Sequence, residues 1–334
     1  MKRFNPISIC LVSFLGLLVL PGLFRKAGAE VQFVPEYTSF TQLAELPLRD
    51  MPMWEAWQTA APGVVEIEIP RQDGEPAQPA LWYHSGTEKK KPLLLVLHSW
   101  SADYLQHYGI PYGVFAERND WIFIHPNYRG KFDDADAAAS EKAVQDVLAA
   151  LEYAKSHAPV DEKRVYLAGF SGGAMMSLVM AGRYPDKFTA ALVWVPVYDL
   201  NDWYGTVIRS RYAYTEHYKS DIEAFCGGNP HSDEKAKEEC RKRSPSSYLA
   251  NARDKGVKVL ISGGIQDHFV PPSHAVRAFN ALAKEEDQIK EADYRFIDDA
   301  ERLPDGLTGR GEGNRFFKEA ELPVVFVRKS GNVT

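Results

Sequence analysis

Residues Arg164 to Tyr184, reading RVYLAGFSGGAMMSLVMAGRY, constrain this chain more than any other stretch. Val165-Tyr166-Leu167-Ala168 is an apolar run long enough for a buried strand. Gly169-Phe170-Ser171-Gly172-Gly173 follows, and Ala174 to Ala181 is small and apolar and stops near Pro185, as a buried helix would. A strand, a serine between glycines and a helix form the context in which G-x-S-x-G reads as a nucleophile elbow. The glycines relieve the crowding that side chains would suffer on so sharp a turn. The helix N-terminus adds backbone amides and a partial positive charge beside a developing oxyanion. Glycine and serine are common residues, so the specificity comes from the flanking strand and helix rather than from the pentapeptide alone.

The 334 residues suit one large α/β domain or two small ones. A formal charge of -6 and the lack of a basic run give no reason to expect nucleic acid. Three cysteines exclude a disulfide-rich scaffold, and no Cys/His cluster has zinc-ligand spacing. Met1 to Ala29 reads as a secretory signal. Lys2 and Arg3 precede an apolar run from Ile7 to Leu20, and Ala27-Gly28-Ala29 is an A-x-A site with cleavage expected after Ala29. Arg25 and Lys26 beyond the run leave an uncleaved anchor as the alternative. The mature protein is expected to be secreted or periplasmic, without stable membrane association. With Cys10 inside the signal, Cys226 and Cys240 either pair or remain free thiols; export favours a bridge closing a short loop.

Residues 30–61 form an irregular lead-in with prolines, Trp54 and Trp57, expected to pack on the surface of a domain spanning 62–334. Val64 to Ile69 alternates as a half-exposed edge strand does, and Asp73-Gly74 turns the chain into a second strand, Ala80 to His84. Pro92 to Leu97 is a continuous aliphatic run, as in a central parallel strand. Trp121 to Ile124 is the next strand, and a helical pattern from Ala143 to Ala154 precedes the elbow strand. Ala190 to Val195 and Val257 to Ile261 are further buried strands, and helix returns from Ser273 to about Lys284. Strands alternating with helices imply a mostly parallel, doubly wound sheet. Between its last two buried strands, residues 198–251 are rich in aromatics and charge and carry no buried strand, so they read as a helical cap.

Five islands occur in one order: L-H-S-W at Leu97 to Trp100, N-Y-R-G at Asn127 to Gly130, G-F-S-G-G, R-S-P-S-S-Y-L at Arg243 to Leu249, and G-G-I-Q-D-H-F-V-P-P at Gly263 to Pro272. Together they resemble the prolyl oligopeptidase-like branch of the α/β-hydrolases over roughly Pro92 to Leu282. The resemblance implies an α/β-hydrolase fold with an N-terminal antiparallel hairpin and a cap, and no cofactor or metal. It implies Ser171 as nucleophile and Asp267 as the acid that orients a histidine. The amide of Gly172 would be one oxyanion donor and that of Trp100 the second, with Ser99 the alternative. His98 precedes the nucleophile, contrary to the chain order of this fold, and is expected to be structural, as is Arg129.

The family's histidine follows strand eight, yet no histidine lies beyond His274. Aligning Asp293 to Arg302 with that strand would put Arg302 in its place and make the chain a natural pseudoenzyme. Ile289, Ala292, Phe296, Ile297, Ala300 and Leu303 recur at helical spacing, which opposes that alignment. The next strand-like run is Pro323 to Arg328, so the expectation is a sequence truncated before its base. His268 is poorly placed beside Asp267, and His274 is expected at the surface or as a cap of its helix. The resemblance implies a serine peptidase acting through an acyl-enzyme on a peptide or small-molecule substrate. An esterase, of carbohydrate or other carboxylic esters, uses the same elbow, and a catalytically inactive binding protein would lack only the histidine.

Overall fold

Seven strands build one sheet: β1 (Val65–Ile69), β2 (Gln78–Tyr83), β3 (Lys91–Leu97), β4 (Ile122–Pro126), β5 (Val160–Phe170), β6 (Ala190–Trp194) and β7 (Lys258–Ser262). The computed structural model describes residues 51–71, 74–210, 215–307 and 326–334. The spatial order is β1-β2-β4-β3-β5-β6-β7. Strands β3 to β7 run parallel, while β1 and β2 form the expected antiparallel hairpin on the β4 side. Asp73 of its predicted turn, the signal-like residues 1–29 and the lead-in to residue 50 lie outside the described residues. The aliphatic run of β3 is buried from Pro92 to Leu97 because helices cover both faces there.

The connections carry α1 (Met53–Ala60), α2 (Ile110–Arg118), α3 (Glu141–His157) and α4 (Gly172–Arg183). Ser140 caps α3 by accepting the Ala143 amide at 3.0 Å. Helix α1 does more than rest on the surface: Trp57 is fully buried, donates its indole N–H to the Leu105 carbonyl at 3.0 Å, and packs against Gly109 and Gly113. Helix α4 is buried from Gly172 to Gly182. It approaches so closely that a Cβ on Gly169 would strike the Gly173 backbone, and one on Gly173 would strike the carbonyls of Leu97 and His98. Glycine at these two positions is what lets the helix start directly over the ends of β3 and β5.

After β6 come α5 (Leu200–Arg209), α6 (Glu216–Cys226), α7 (Glu234–Lys242) and the short α8 (Ala250–Asp254), so the predicted cap is helical. A Cys226–Cys240 disulfide ties the end of α6 to α7, with Cα atoms 5.3 Å apart. Helix α9 (Pro272–Leu282) follows β7, and α10 (Glu291–Ala300) confirms the helical reading of the segment before Pro304.

The eighth ladder position is filled differently from expectation. Of the run Pro323 to Arg328, residues 323–325 lie outside the described residues, and Phe326 to Arg328 form no ladder. Asn332 to Thr334 pair with β7 instead. The Val259 amide donates to the Asn332 carbonyl at 2.9 Å, the Thr334 amide to the Val259 carbonyl at 3.0 Å, and the Ile261 amide to the Thr334 carbonyl at 2.8 Å. Pairing there uses backbone groups, and its single apolar side chain, Val333, is buried, so an apolar-run criterion passes over it.

Candidate active site

Ser171 follows the last residue of β5 and caps α4 with φ 54° and ψ -116°. That conformation is costly for a residue with a Cβ, and it persists because both sides of the turn are fixed. The Ser171 amide donates to the Trp194 carbonyl of β6 at 2.8 Å, and the Ser171 carbonyl accepts the Met175 amide at 2.9 Å. Among the described residues its hydroxyl has no hydrogen-bond partner.

The loop after β3 comes against the start of α4. A Cβ on Gly172 would lie 2.7 Å from the Trp100 nitrogen and 2.9 Å from its Cα. Gly172 and the Trp100 amide, predicted as the two oxyanion donors, are therefore neighbours, and neither amide donates to a protein acceptor among the described residues. The loop is held firmly. Gln106 Oε1 accepts from the Ser99 amide at 3.1 Å and from its hydroxyl at 2.9 Å, while the Trp100 carbonyl accepts the Phe132 amide at 2.9 Å. Since the Ser99 amide is engaged by Gln106, Trp100 is the better placed of the two alternatives.

Asp267 lies on the loop after β7, two strands from β5 at the same end of the parallel sheet. Neighbouring strands are about 4.8 Å apart, so the backbones leaving β5 and β7 are separated by about 10 Å. Oδ1 of Asp267 accepts the amides of Phe269 and Val270 at 2.8 and 2.9 Å, which fixes the carboxylate and leaves Oδ2 outside both bonds. Burial raises its pKa above the ordinary carboxylate value, against the two amides and the nearby His268. Trp203 of α5 bridges two of these loops: its indole N–H donates to the Phe269 carbonyl at 2.7 Å, and its ring meets that of Trp100 edge-on at 5.0 Å.

All nine histidines fall among the described residues, and none hydrogen bonds to Ser171 or Asp267. His98 is fully buried, its two ring nitrogens facing the Ser99 and Asn127 carbonyls at 3.0 and 2.8 Å and its ring stacked on Tyr128, as a structural residue would be. His125 is equally buried, and burial with His98 nearby lowers its pKa to about 3. His268 is half exposed, with Nδ1 3.7 Å from Glu301. His274 departs from the expected surface position. It is 1% exposed, its Nδ1 accepts the Tyr198 amide at 3.0 Å, and burial lowers its pKa to about 4. A helix-start histidine looked solvent-facing because the overlying residues come from the base of the cap.

Arg129 is structural as expected: with Arg71 it converges on the buried Asp146 of α3, and it also pairs with Glu75. Two residues that frame the site carry no sequence motif. Trp203 is one. Asp221 of α6, which accepts the Trp100 indole N–H at 2.8 Å, is the other. Their only sequence signal is the aromatic and acidic character of the cap. No group of three or more potential metal ligands occurs among the described residues.

Residues 114–299 match the Prolyl oligopeptidase family. Feruloyl esterase B of Talaromyces stipitatus is 33% identical over 109 residues, covering 30% of this chain and 30% of that protein. Acylamino-acid-releasing enzyme 1 of Oryza sativa subsp. japonica is 24% identical over 208 residues, covering 60% of this chain and 26% of that protein. The chain thus spans only about a quarter to a third of these relatives. Among solved structures, the uncomplexed acylaminoacyl peptidase of Pyrococcus horikoshii superposes with a TM-score of 0.51 at 18% identity, over 66% of this chain and 34% of that one; the likeness is one of fold. With a family match across more than half its length, on the sheet of an α/β-hydrolase, the chain belongs to the prolyl oligopeptidase family, a serine hydrolase lineage.

Proposed function

We propose that this protein is an exported serine hydrolase that cleaves a carboxylic ester through an acyl-enzyme on Ser171. The observation that carries the reading is the strained Ser171 beside two neighbouring amides with no protein acceptor. Ser171 Oγ would attack the ester carbonyl carbon, and the carbonyl oxygen would take its negative charge between the Gly172 and Trp100 amides. The alcohol leaves with a proton, and water then releases the acid and restores the serine. Asp267, with Oδ1 fixed by two amides, is suited to orient a proton-carrying imidazole through Oδ2. The ester preference draws on the relatives named feruloyl esterase B and on an acetylxylan esterase of Coprinopsis cinerea, 30% identical over 123 residues. Export is supported by the signal-like residues 1–29 and by the Cys226–Cys240 disulfide, a bond that persists in oxidising compartments.

A second reading follows from the histidines: with none bonded to Ser171, the same fold would bind acylated ligands without turning them over. The deciding experiment compares the protein with Ser171→Ala on acetylated xylan, methyl ferulate, p-nitrophenyl acetate and an N-acylated peptide. Turnover of the esters that vanishes in the variant supports the esterase. Preference for the peptide moves the substrate class, and identical rates for both proteins leave the binding reading. Fractionation with N-terminal sequencing tests export, with a mature start at Glu30 expected.

A further inference from the structure

We propose that Asp221 of the cap is a positioning residue of the oxyanion hole, holding Trp100 through its indole so that the Trp100 amide stays aimed beside Gly172. The inference rests on the assignment of that amide as an oxyanion donor. Trp100 is 2% exposed, although it belongs to a loop. Its ring is walled by Phe132 at 5.3 Å, Trp203 at 5.0 Å, Tyr218 at 5.7 Å and Phe225 at 5.4 Å, centroid to centroid. Three of those walls come from the cap.

Apolar walls limit where a ring can be, but they lack direction, and an indole can slide or tilt between them. The directional restraint is the bond from Trp100 Nε1 to Asp221 Oδ2 at 2.8 Å. It is charge-assisted, and it satisfies an N–H that would otherwise be buried without a partner. Asp221 sits one turn beyond His217, whose Nε2 lies 3.4 Å from the hydroxyl of Ser101, the residue after Trp100. Burial holds the Asp221 carboxyl above its ordinary pKa, while Trp100 and His217 act in the opposite direction and Asp133 adds to the rise. Helix α6, which carries both groups, is anchored near its end by the Cys226–Cys240 bridge. Gln106 and Phe132 hold the loop from the sheet side, and Asp221 holds it from the cap. A shift of the indole is transmitted to its own main chain, and an oxyanion donor displaced by about 1 Å loses much of its effect.

The test uses Asp221→Ala, Asp221→Asn and Trp100→Phe in the full chain, with Ser171→Ala as reference. Steady-state hydrolysis of p-nitrophenyl acetate is read as kcat and KM, and the rate of Ser171 phosphonylation by a fluorophosphonate is followed by mass spectrometry. Removal of a direct oxyanion donor lowers kcat by about 10²- to 10³-fold, so loss of a restraint on one is expected to lower it about 10- to 100-fold with KM nearly unchanged. Asp221→Asn still offers the indole a carbonyl acceptor and should recover most of the loss. Trp100→Phe keeps an aromatic ring and the main-chain amide but removes the donor and part of the ring's bulk, so it should lose at least as much as Asp221→Ala even if the latter folds poorly. Phosphonylation should slow in parallel. A kcat unchanged in Asp221→Ala or in Trp100→Phe, or an Asp221→Asn as slow as the alanine variant, overturns the proposal. If the unaltered protein is labelled no faster than Ser171→Ala, the nucleophile assignment itself falls and this inference with it. If it is labelled well and Asp221→Ala equally well, only the positioning role falls.

Discussion

Two of the turns at one end of the parallel sheet, those after β4 and β5, place non-glycine residues at positive φ and treat their polar groups in opposite ways. After β4, Tyr128 and Arg129 have φ of 25° and 80°. There the Tyr128 hydroxyl donates to the His98 carbonyl at 2.6 Å, its amide donates to Gln78 Oε1 at 3.1 Å, and Arg129 pairs with Asp146 and Glu75. After β5, Ser171 has φ 54°, yet its hydroxyl and the Gly172 and Trp100 amides have no protein partners among the described residues. Strain with the Tyr128 and Arg129 side chains engaged locks a corner of the fold. Strain beside unengaged donors and an unengaged hydroxyl marks a place where something else is meant to bind.

The largest effect should come from breaking the locked corner. Asp146→Ala leaves Arg71 and Arg129 buried without their shared carboxylate, and it should cost about 3–5 kcal/mol in denaturant unfolding. The folded fraction should still react with a fluorophosphonate at Ser171; a stable variant with a dead serine would erase the contrast. Next comes Gly172→Ala, whose new Cβ would press on the Trp100 nitrogen at 2.7 Å and its Cα at 2.9 Å. Ester turnover should fall by about 100-fold or more, as for loss of an oxyanion donor, with a comparatively modest shift in melting temperature.

A paired glycine test separates the two kinds of strain directly. Ser171→Gly releases an unfavourable conformation without removing a bond to the side chain, so it should raise stability by about 1 kcal/mol while abolishing turnover. Arg129→Gly relieves a similar φ but removes the ion pairs, and it should lower stability. Calorimetry on both variants decides, and a drop in both would mean that the elbow is not strained.

The smallest effect concerns pH. Burial raises the folded pKa of Asp267 above its ordinary value of 3.8, so the fold holds this proton more tightly than the unfolded chain does. Stability therefore falls as pH rises from about 3.8 through the raised value, and the cost is fully present above it. Asp267→Asn keeps Oδ1 for the Phe269 and Val270 amides and removes the ionisation. It should melt higher than the parent at neutral pH, and the difference should vanish near pH 3. An equal advantage at both pH values would show that the cost is not ionic.

The elbow was legible because its chemistry is local: five residues set the turn, and their flanks announce strand and helix. Parallel strands β3, β4 and β6 were legible for the same reason, as aliphatic runs buried on both faces, whereas of β7, expected to be buried as well, only Val259 is. His274 was not, since whether a helix-start residue faces solvent depends on chain far away, here Tyr198 at the base of the cap. The pairing of Asn332 to Thr334 with β7 escaped because backbone bonds leave little trace in side-chain pattern. Asp221 escaped because an acid on an amphipathic helix has no distinguishing mark until the indole it meets is known.

The wide spacing of the site along the sequence also governs when it comes into being. In a chain made from its N-terminus, Ser171 emerges 50 residues before Asp221 and 96 before Asp267, by difference of their positions. An unfinished chain therefore carries the serine without the cap that fixes Trp100 or the loop that carries the acid. Contacts of such long sequence separation form late in folding. The serine is consequently made well before the two regions that frame it, and the site is assembled only once the chain as far as Asp267 has joined the fold.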